Sequence, residues 1–397
     1  MKSAVSKTSM LLKRCINVNT TRALSGCTAA PLYKHQSNMS IEELFKIDSL
    51  DKADMTIFPR ERQGRDCAFN WSLAADYITV WNNAYRNPSL NVLRQSIDGT
   101  LDENKNVVCQ RNYANNSEVS SAIGRFDDFL GEVKDYLSEV PDLFVEDAGV
   151  GSALDSQLKV RMITNDSATA YAFKSMFETL PLREPIESRN LSIYIARGLD
   201  CEQPLSVIGQ DDINKTISIA VAGEVSIEHI LADIAKAVDG IYNVPVAADA
   251  PKPTISKCIL PCSCVYLNNE PTLIFGLCDE CTSKAFENGK LYGSKNIVLS
   301  NDHISKLWGG AMIQSNNTKK SIKLNDFAYN HLKTANAEII PKQVLIVSDN
   351  NKYVSEDEFK NYLKDNHFSE DMTAFITNTL KNAKIETVTP ENLKSQL

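Results

Sequence analysis

The chain has 397 residues, 43% apolar and 23% charged, with 14 Pro and 16 Gly, an ordinary globular composition that excludes collagen-like, disordered and disulfide-scaffold chains. Lys and Arg number 42 against 50 Asp and Glu, a formal charge of −8, which argues against a general nucleic-acid binder because phosphate neutralisation needs a basic surface. No apolar run reaches the roughly 18 residues that a membrane-spanning helix requires.

Residues 1–40 contain no Asp or Glu, yet carry Lys2, Lys7, Lys13, Arg14, Arg22 and Lys34 among Ser, Thr and apolar residues. An acid-poor, basic, hydroxyl-rich segment of this kind reads as a mitochondrial transit peptide, with a basic tail on a cytosolic protein as the alternative. Ten cysteines without a disulfide framework fit the reducing matrix side of the inner membrane.

Residues 41–66 read as a polar arm. Leu73, Ala74, Tyr77, Ile78 and Trp81 recur at helical spacing and predict a helix over Trp71–Tyr85, so that 41–104 forms an N-terminal arm and helix. Val107–Cys109 predicts a short strand. Arg125, Phe126, Phe129, Leu130, Val133 and Leu137 form the apolar stripe of a helix closed by Pro141, with Asp127, Asp128 and Glu132 on its solvated face. Strands are expected at Leu143–Val145, Leu158–Thr164, Leu191–Ala196 and Ile217–Ala222, and helices at Ser167–Phe177 and Ile227–Ile241. The Pro- and Ala-rich stretch Val244–Pro253 reads as a linker between a domain over 105–250 and another over 251–397. Beyond it, Thr272–Gly276, Asn296–Leu299 and Val344–Val347 predict strands. The last fifty residues read as mostly helical, with a capping box at Ser355 and Glu358. The class is α/β.

One local arrangement points to chemistry. The strand Leu273–Gly276 runs into Leu277-Cys278-Asp279-Glu280-Cys281-Thr282-Ser283-Lys284. A phosphate-binding loop, G-x-x-x-x-G-K-[ST], follows such a strand so that backbone N–H groups and one Lys cradle phosphates. Gly276 opens that pattern and Ser283 closes it, but Cys281 and Thr282 stand where the second Gly and the Lys belong.

These residues resemble ATP-dependent phosphoenolpyruvate carboxykinase, whose phosphate loop follows a strand end like Phe275-Gly276-Leu277. Leu143-Phe144-Val145, the strand Leu158–Thr164, Ala222-Gly223-Glu224, and Pro341-Lys342 before Val344–Asp349 resemble further family segments in order, from about residue 105 to 350. The resemblance implies a truncated two-domain carboxykinase-like fold: an N-terminal domain over 105–250, then a shortened, degenerate nucleotide-binding-like domain with a helical tail over 251–397. It also implies where catalytic groups belong, and those positions depart from the family. The loop glycines become Asp279 and Cys281, and its Lys becomes Thr282. The magnesium-binding Asp pair becomes Ser300 and Asn301, with Asp302 adjacent. The Lys after Ala-Gly-Glu falls on Ser226 or Ile227. The metal-binding His falls near Leu260, with His229 the spare candidate, and the substrate-binding Gly-Arg and following Arg fall on Ser117-Glu118 and Ser121. Asp279 and Glu280 would set two carboxylates beside a polyphosphate, each repelling it by roughly 1 to 4 kcal/mol at about 4 Å.

All thirteen arginines lie at or before Arg197, whereas phosphoryl transfer relies on Arg or Lys clamps. Lys284 and Lys319 are the candidate substitutes. No catalytic residue, cofactor or metal is therefore expected. The alternative is a thiolate zinc site from Cys262, Cys264, Cys278 and Cys281, with Cys258 upstream, against the reading of these as small buried thiols. A redox role for Cys278-x-x-Cys281 is disfavoured by the acids between the sulfurs. Trp71, Trp81 and Trp308 read as core or interface aromatics.

The sequence thus predicts a pseudoenzyme: a structural subunit of a large mitochondrial inner-membrane complex, peripheral to the membrane. ATP synthase comes first and a respiratory complex second, while the acidic charge counts against the mitochondrial ribosome. The competing expectation is an ATP-binding enzyme or sensor with an altered site.

Overall fold

The computed structural model describes residues 73–80, 83–91, 93, 126–153, 155–178, 190–201, 204–211, 216–243, 255–315, 318–324 and 339–397. The segments expected to be a transit peptide (1–40), an arm (41–66), a strand (107–109) and a linker (244–253), together with Trp71, Trp81 and Ser117 to Ser121, lie outside them.

The first sheet comprises β1 (Asn83–Arg86), β2 (Asp142–Val150), β3 (Leu158–Thr164), β4 (Leu191–Ala196), β5 (Leu205–Asp211) and β6 (Thr216–Ala222), in the order β1-β2-β3-β4-β6-β5. Strands β3, β4 and β6 are parallel, while β2 and β5 run antiparallel to β3 and β6. Because side chains alternate across a strand, Val145, Ile163, Tyr194 and Ala220 pack with Val133 and Leu137 of α1 (Phe126–Glu139). Phe144, Met162, Ile193 and Ile219 pack instead with α2 (Ser167–Met176) and α3 (Ile227–Tyr242). Asp166 caps α2 by accepting from Thr169 N, and Ser226 caps α3 by accepting from His229 N. Asp127, Asp128 and Glu132 are exposed on α1, as expected of its solvated face.

Among the described residues of 71–85 the expected helix does not form. Leu73–Asp76 is a single 3-10 turn, Tyr77 is exposed with φ at +58°, and β1 follows. The turn is set by a buried charge network. Arg161 on β3 grips both oxygens of Asp147 on β2, at 2.6 and 2.9 Å, and donates to Asp76 at 2.9 Å. Arg86 reaches Asp147 at 2.5 Å, and Tyr194 OH reaches Asp76 at 2.8 Å. Satisfying Asp76 inside the protein outweighs an apolar periodicity that would have run past it.

The second half comprises β7 (Lys257–Leu260), β8 (Cys262–Leu267), β9 (Glu270–Phe275), α4 (Asp279–Glu287), β10 (Leu291–Gly293), β11 (Ile297–Ser300), β12 (Ile304–Lys306), β13 (Gly310–Ser315), β14 (Thr318–Lys323), β15 (Gln343–Val347), β16 (Lys352–Tyr353), α5 (Glu356–Asp365), α6 (Glu370–Thr379), β17 (Lys384–Val388) and α7 (Pro390–Gln396). Its larger sheet has the order β10-β8-β9-β15-β17-β16, with β9, β15 and β17 parallel. Cys262, Cys264, Phe275 and Ile346 pack under Phe359, Leu363 and Ile376 of α5 and α6. Val265, Ile274 and Leu345 pack on the opposite face with Ala285 of α4 and Leu393 of α7. The last fifty residues are mostly helical, as expected, in α5, α6 and α7, with Lys-Ile-Glu-Thr-Val at β17 pairing beside β15 between α6 and α7. The capping box joins Ser355 and Glu358 as expected.

A small sheet, β12-β11-β7, joins the two halves. Ile259 and Val298 enter the core beneath α2 and α3 with Leu307, Trp308 and Met312, while Cys258, Leu260, Ile297 and Leu299 enter the core beneath α5 and α6. Trp308 stacks on Phe177, confirming it as a core aromatic. The architecture is mixed α/β, with helices on both faces of two sheets.

Candidate functional site

Strand β9 ends at Phe275, Gly276 turns the chain with φ at +79°, and α4 begins at Asp279 with Cys278 as its N-cap. A side chain at Gly276 would be strained by that φ, and its Cβ would sit 3.4 Å from Val347 Cβ. Only Gly276, Leu277 and Cys278 separate strand from helix. A phosphate loop needs a longer excursion of backbone N–H groups, and residues 279–283 are already helix.

The hydroxyls expected near a phosphate turn inward. Thr282 Oγ1 donates to the Cys278 carbonyl at 3.0 Å, and Ser283 Oγ donates to the Asp279 carbonyl at 2.9 Å while accepting from Gln314 N of β13 at 2.8 Å. Both residues are buried, as is Cys281. The first-turn amide of Cys281 is satisfied by Cys278 Sγ at 3.3 Å. Ser283 therefore anchors a hairpin rather than closing a phosphate pattern.

The two acids are not left as bare like charges. Asp279 pairs with Lys295 at 2.8 Å and Lys319 at 2.9 Å; Lys319 also pairs with Glu228 on α3 at 2.9 Å, and Lys394 on α7 holds Glu280 at 2.7 Å. Burial pushes Asp279 up, but hydrogen bonds from Lys295 and Lys319 override it and hold the carboxyl below its usual range. Lys319 thus stands beside the loop, but Asp279 and Glu228 consume its charge. Lys284 does not face the loop; it donates to the Lys394 carbonyl near the end of α7.

Beside Gly276 lies a cavity of about 400 Å³ between α2, α3 and the second half, walled by Met176, Leu231, Ile274, Leu277, Trp308 and Met312. Its polar lining includes Glu228, Lys295 and Ser294, whose buried Oγ has no hydrogen-bond partner. Lys295 and Asn296 both hold positive φ on its rim. Apolar walls of this kind suit an apolar group better than a triphosphate.

The other inferred positions gather elsewhere. Ser300 ends β11, Asn301 and Asp302 follow it in the turn to β12, and none lines the cavity. Ser300 Oγ donates to Asp155 at 3.3 Å, Asp302 contacts His303 at 2.8 Å, and Asp155 pairs with Lys257 at 3.1 Å. Ser226 is spent as a cap, Ile227 and Leu260 are buried, and His229 contacts Asp233 at 3.2 Å, itself bonded by Ser206 at 2.7 Å. Arg197 donates to the Val225 carbonyl at 2.5 Å and so clamps the chain after Ala222-Gly223-Glu224. The roles of Arg86, Arg161 and Arg197 as buried ties carried no local sequence signal.

The four thiols of the zinc alternative are split. Cys262 and Cys264, two residues apart on β8, point with Cys258 into the core under α5 and α6. Cys281 belongs to the core on the other sheet face, and Cys278 is exposed. Strand alternation explains the C-x-C spacing, and among the described residues no group of three or more His, Cys, Asp or Glu is placed to hold a metal ion. No helix of the described residues is long and apolar enough to cross a membrane. No protein-family model matches the chain, and no curated protein matches it.

Proposed function

We propose that this chain is a carboxykinase-like pseudoenzyme, with a shortened two-domain fold, that serves as a non-catalytic structural or accessory subunit of a mitochondrial inner-membrane complex, ATP synthase before a respiratory complex. The observation that carries the loss of chemistry is the self-satisfied start of α4. Its turn is three residues long, its hydroxyls bond to its own carbonyls, and its nearest lysines are neutralised by Asp279 and Glu228. Phosphoryl transfer is almost wholly positioning and electrostatics, and neither is supplied at this turn. The absence of Arg after Arg197 supports the same reading. The mitochondrial placement rests on the acid-free, basic segment 1–40.

Folds persist when sites are lost, because function resides in sites grafted onto them. Native gel migration of the endogenous protein tests the assembly role. Migration in a large inner-membrane complex, whose other subunits co-purify, is the expected result; a lone soluble species contradicts it. The cavity beside Gly276 favours one second reading, a sensor that binds a ligand at an altered site.

A further inference from the structure

We propose that Cys278 and Cys281 are a redox-active dithiol that closes to a disulfide by exchange with a small disulfide of the glutathione class. The inference is independent of the pseudoenzyme reading, and it rests on the placement of two thiols that no phosphate or zinc site uses.

Cys278 is the N-cap of α4 and is exposed, whereas Cys281, three residues on, is only 2% exposed. Cys281 N donates to Cys278 Sγ at 3.3 Å, so the two residues already meet at one helix end. Residues three apart at a helix start have Cα atoms about 5 to 6 Å apart, inside the roughly 4.4 to 6.8 Å that a disulfide spans. The exposed sulfur can be reached by a soluble disulfide, and the buried one only by its neighbour. That asymmetry assigns attack to Cys278 and resolution to Cys281. Burial, and next the hydrogen bond with Cys278, push the Cys281 thiol up to about 12, in keeping with a thiol that reacts second.

The acids between the sulfurs are the objection to a thiolate here, and the fold answers it. Asp279 is held by Lys295 and Lys319, and Glu280 by Lys394. Their charges are thus paired by lysines, and Cys278 accepts the Cys281 amide at the exposed N-cap of α4. Cys258, Cys262 and Cys264 lack this setting: all three are buried in the core under α5 and α6.

The chemistry balances. The Cys278 thiolate attacks one sulfur of glutathione disulfide, whose S–S bond breaks and releases one glutathione thiolate. Cys281 gives its proton to water or to that thiolate, and its sulfur then attacks Cys278 Sγ, releasing the second glutathione. Two electrons pass from the protein dithiol to the glutathione disulfide, leaving one intramolecular disulfide and two glutathione molecules.

The full chain, equilibrated in reduced and oxidised glutathione at stepped ratios, acid-quenched and alkylated, is then cut by a Glu-specific protease. Cleavage after Glu280 separates the two cysteines, so their peptides stay joined only if a disulfide links them. The expected result is a joined pair that grows with oxidised glutathione and is lost in both Cys278→Ser and Cys281→Ser. Cys281→Ser should retain one glutathione on Cys278, while Cys278→Ser should take none at Cys281. Ser is a good N-cap, so Cys278→Ser keeps the start of α4; far-UV circular dichroism checks this. Free thiols at both positions across the whole series would overturn the proposal, as would an adduct on Cys281 in place of Cys278.

Discussion

Replacing Arg161 with Met is expected to remove about 3 to 5 kcal/mol of folding stability, the loss typical of breaking a buried ion pair from one side. Arg161 is fully buried and engages Asp147 through two nitrogens and Asp76 through a third. Its loss takes the guanidinium from Asp76, to which Tyr194 also donates, and takes two charged hydrogen bonds from Asp147, to which Arg86 also donates. Asp147 also supplies a pH signature. Burial would raise its pKa, but Arg161 and then Arg86 override burial and hold the carboxyl below its ordinary range. A carboxyl depressed in the fold contributes stability above its unfolded value of about 3.9, and this contribution is lost as pH falls through the folded value. Urea unfolding of wild type should therefore weaken at acid pH more steeply than that of Arg161→Met. A loss below about 1 kcal/mol would place the network outside the determinants of stability.

Gly310→Ala is expected to cost at least about 1 to 3 kcal/mol, the range for overpacking a filled site, and to loosen the joint between the halves. A Cβ at Gly310 would lie 2.1 Å from the Ser175 carbonyl oxygen at the end of α2 and 2.5 Å from the Ile322 carbonyl oxygen on β14. Both are backbone atoms, so no rotamer change relieves the clash; the hairpin of β13 and β14 must move off α2. Ser283 of α4 would then lose its bond to Gln314 N. Limited proteolysis around residues 310–324, together with urea unfolding, reads the outcome. Wild-type resistance and midpoint in Gly310→Ala would contradict the close packing.

The sequence made the parallel strands β3, β4 and β6 legible because each is a short apolar run bounded by turn residues, and α3 legible through its stripe and the Ser226 cap. The helix expected at 71–85 failed for a reason no local window contains, since the partners of Asp76 lie on β3 and β4. At β8 two readings compete in the sequence, zinc ligands and small buried thiols on adjacent strands, and the two-residue spacing of Cys262 and Cys264 is that of a strand facing a core. Strand β17 was hidden among helices, and its parallel place beside β15 is a long-range choice. At the site, the strand, Gly276 and the following helix could be read directly. Lys295 and Lys319 could not be placed, because they reach Asp279 from the segment after β10 and from β14. The local sequence therefore suggested an uncompensated acidic turn, where the fold builds a neutralised one.

The claim that this turn does not hold a polyphosphate is tested most directly by isothermal titration calorimetry of the full chain with Mg-ATP. The account predicts no saturable heat, in wild type and in Asp279→Asn alike, because α4 starts too soon after Gly276 for a phosphate loop whatever the local charge. Saturable binding at micromolar affinity, abolished by substituting Lys295 and Lys319 with Met, would contradict it.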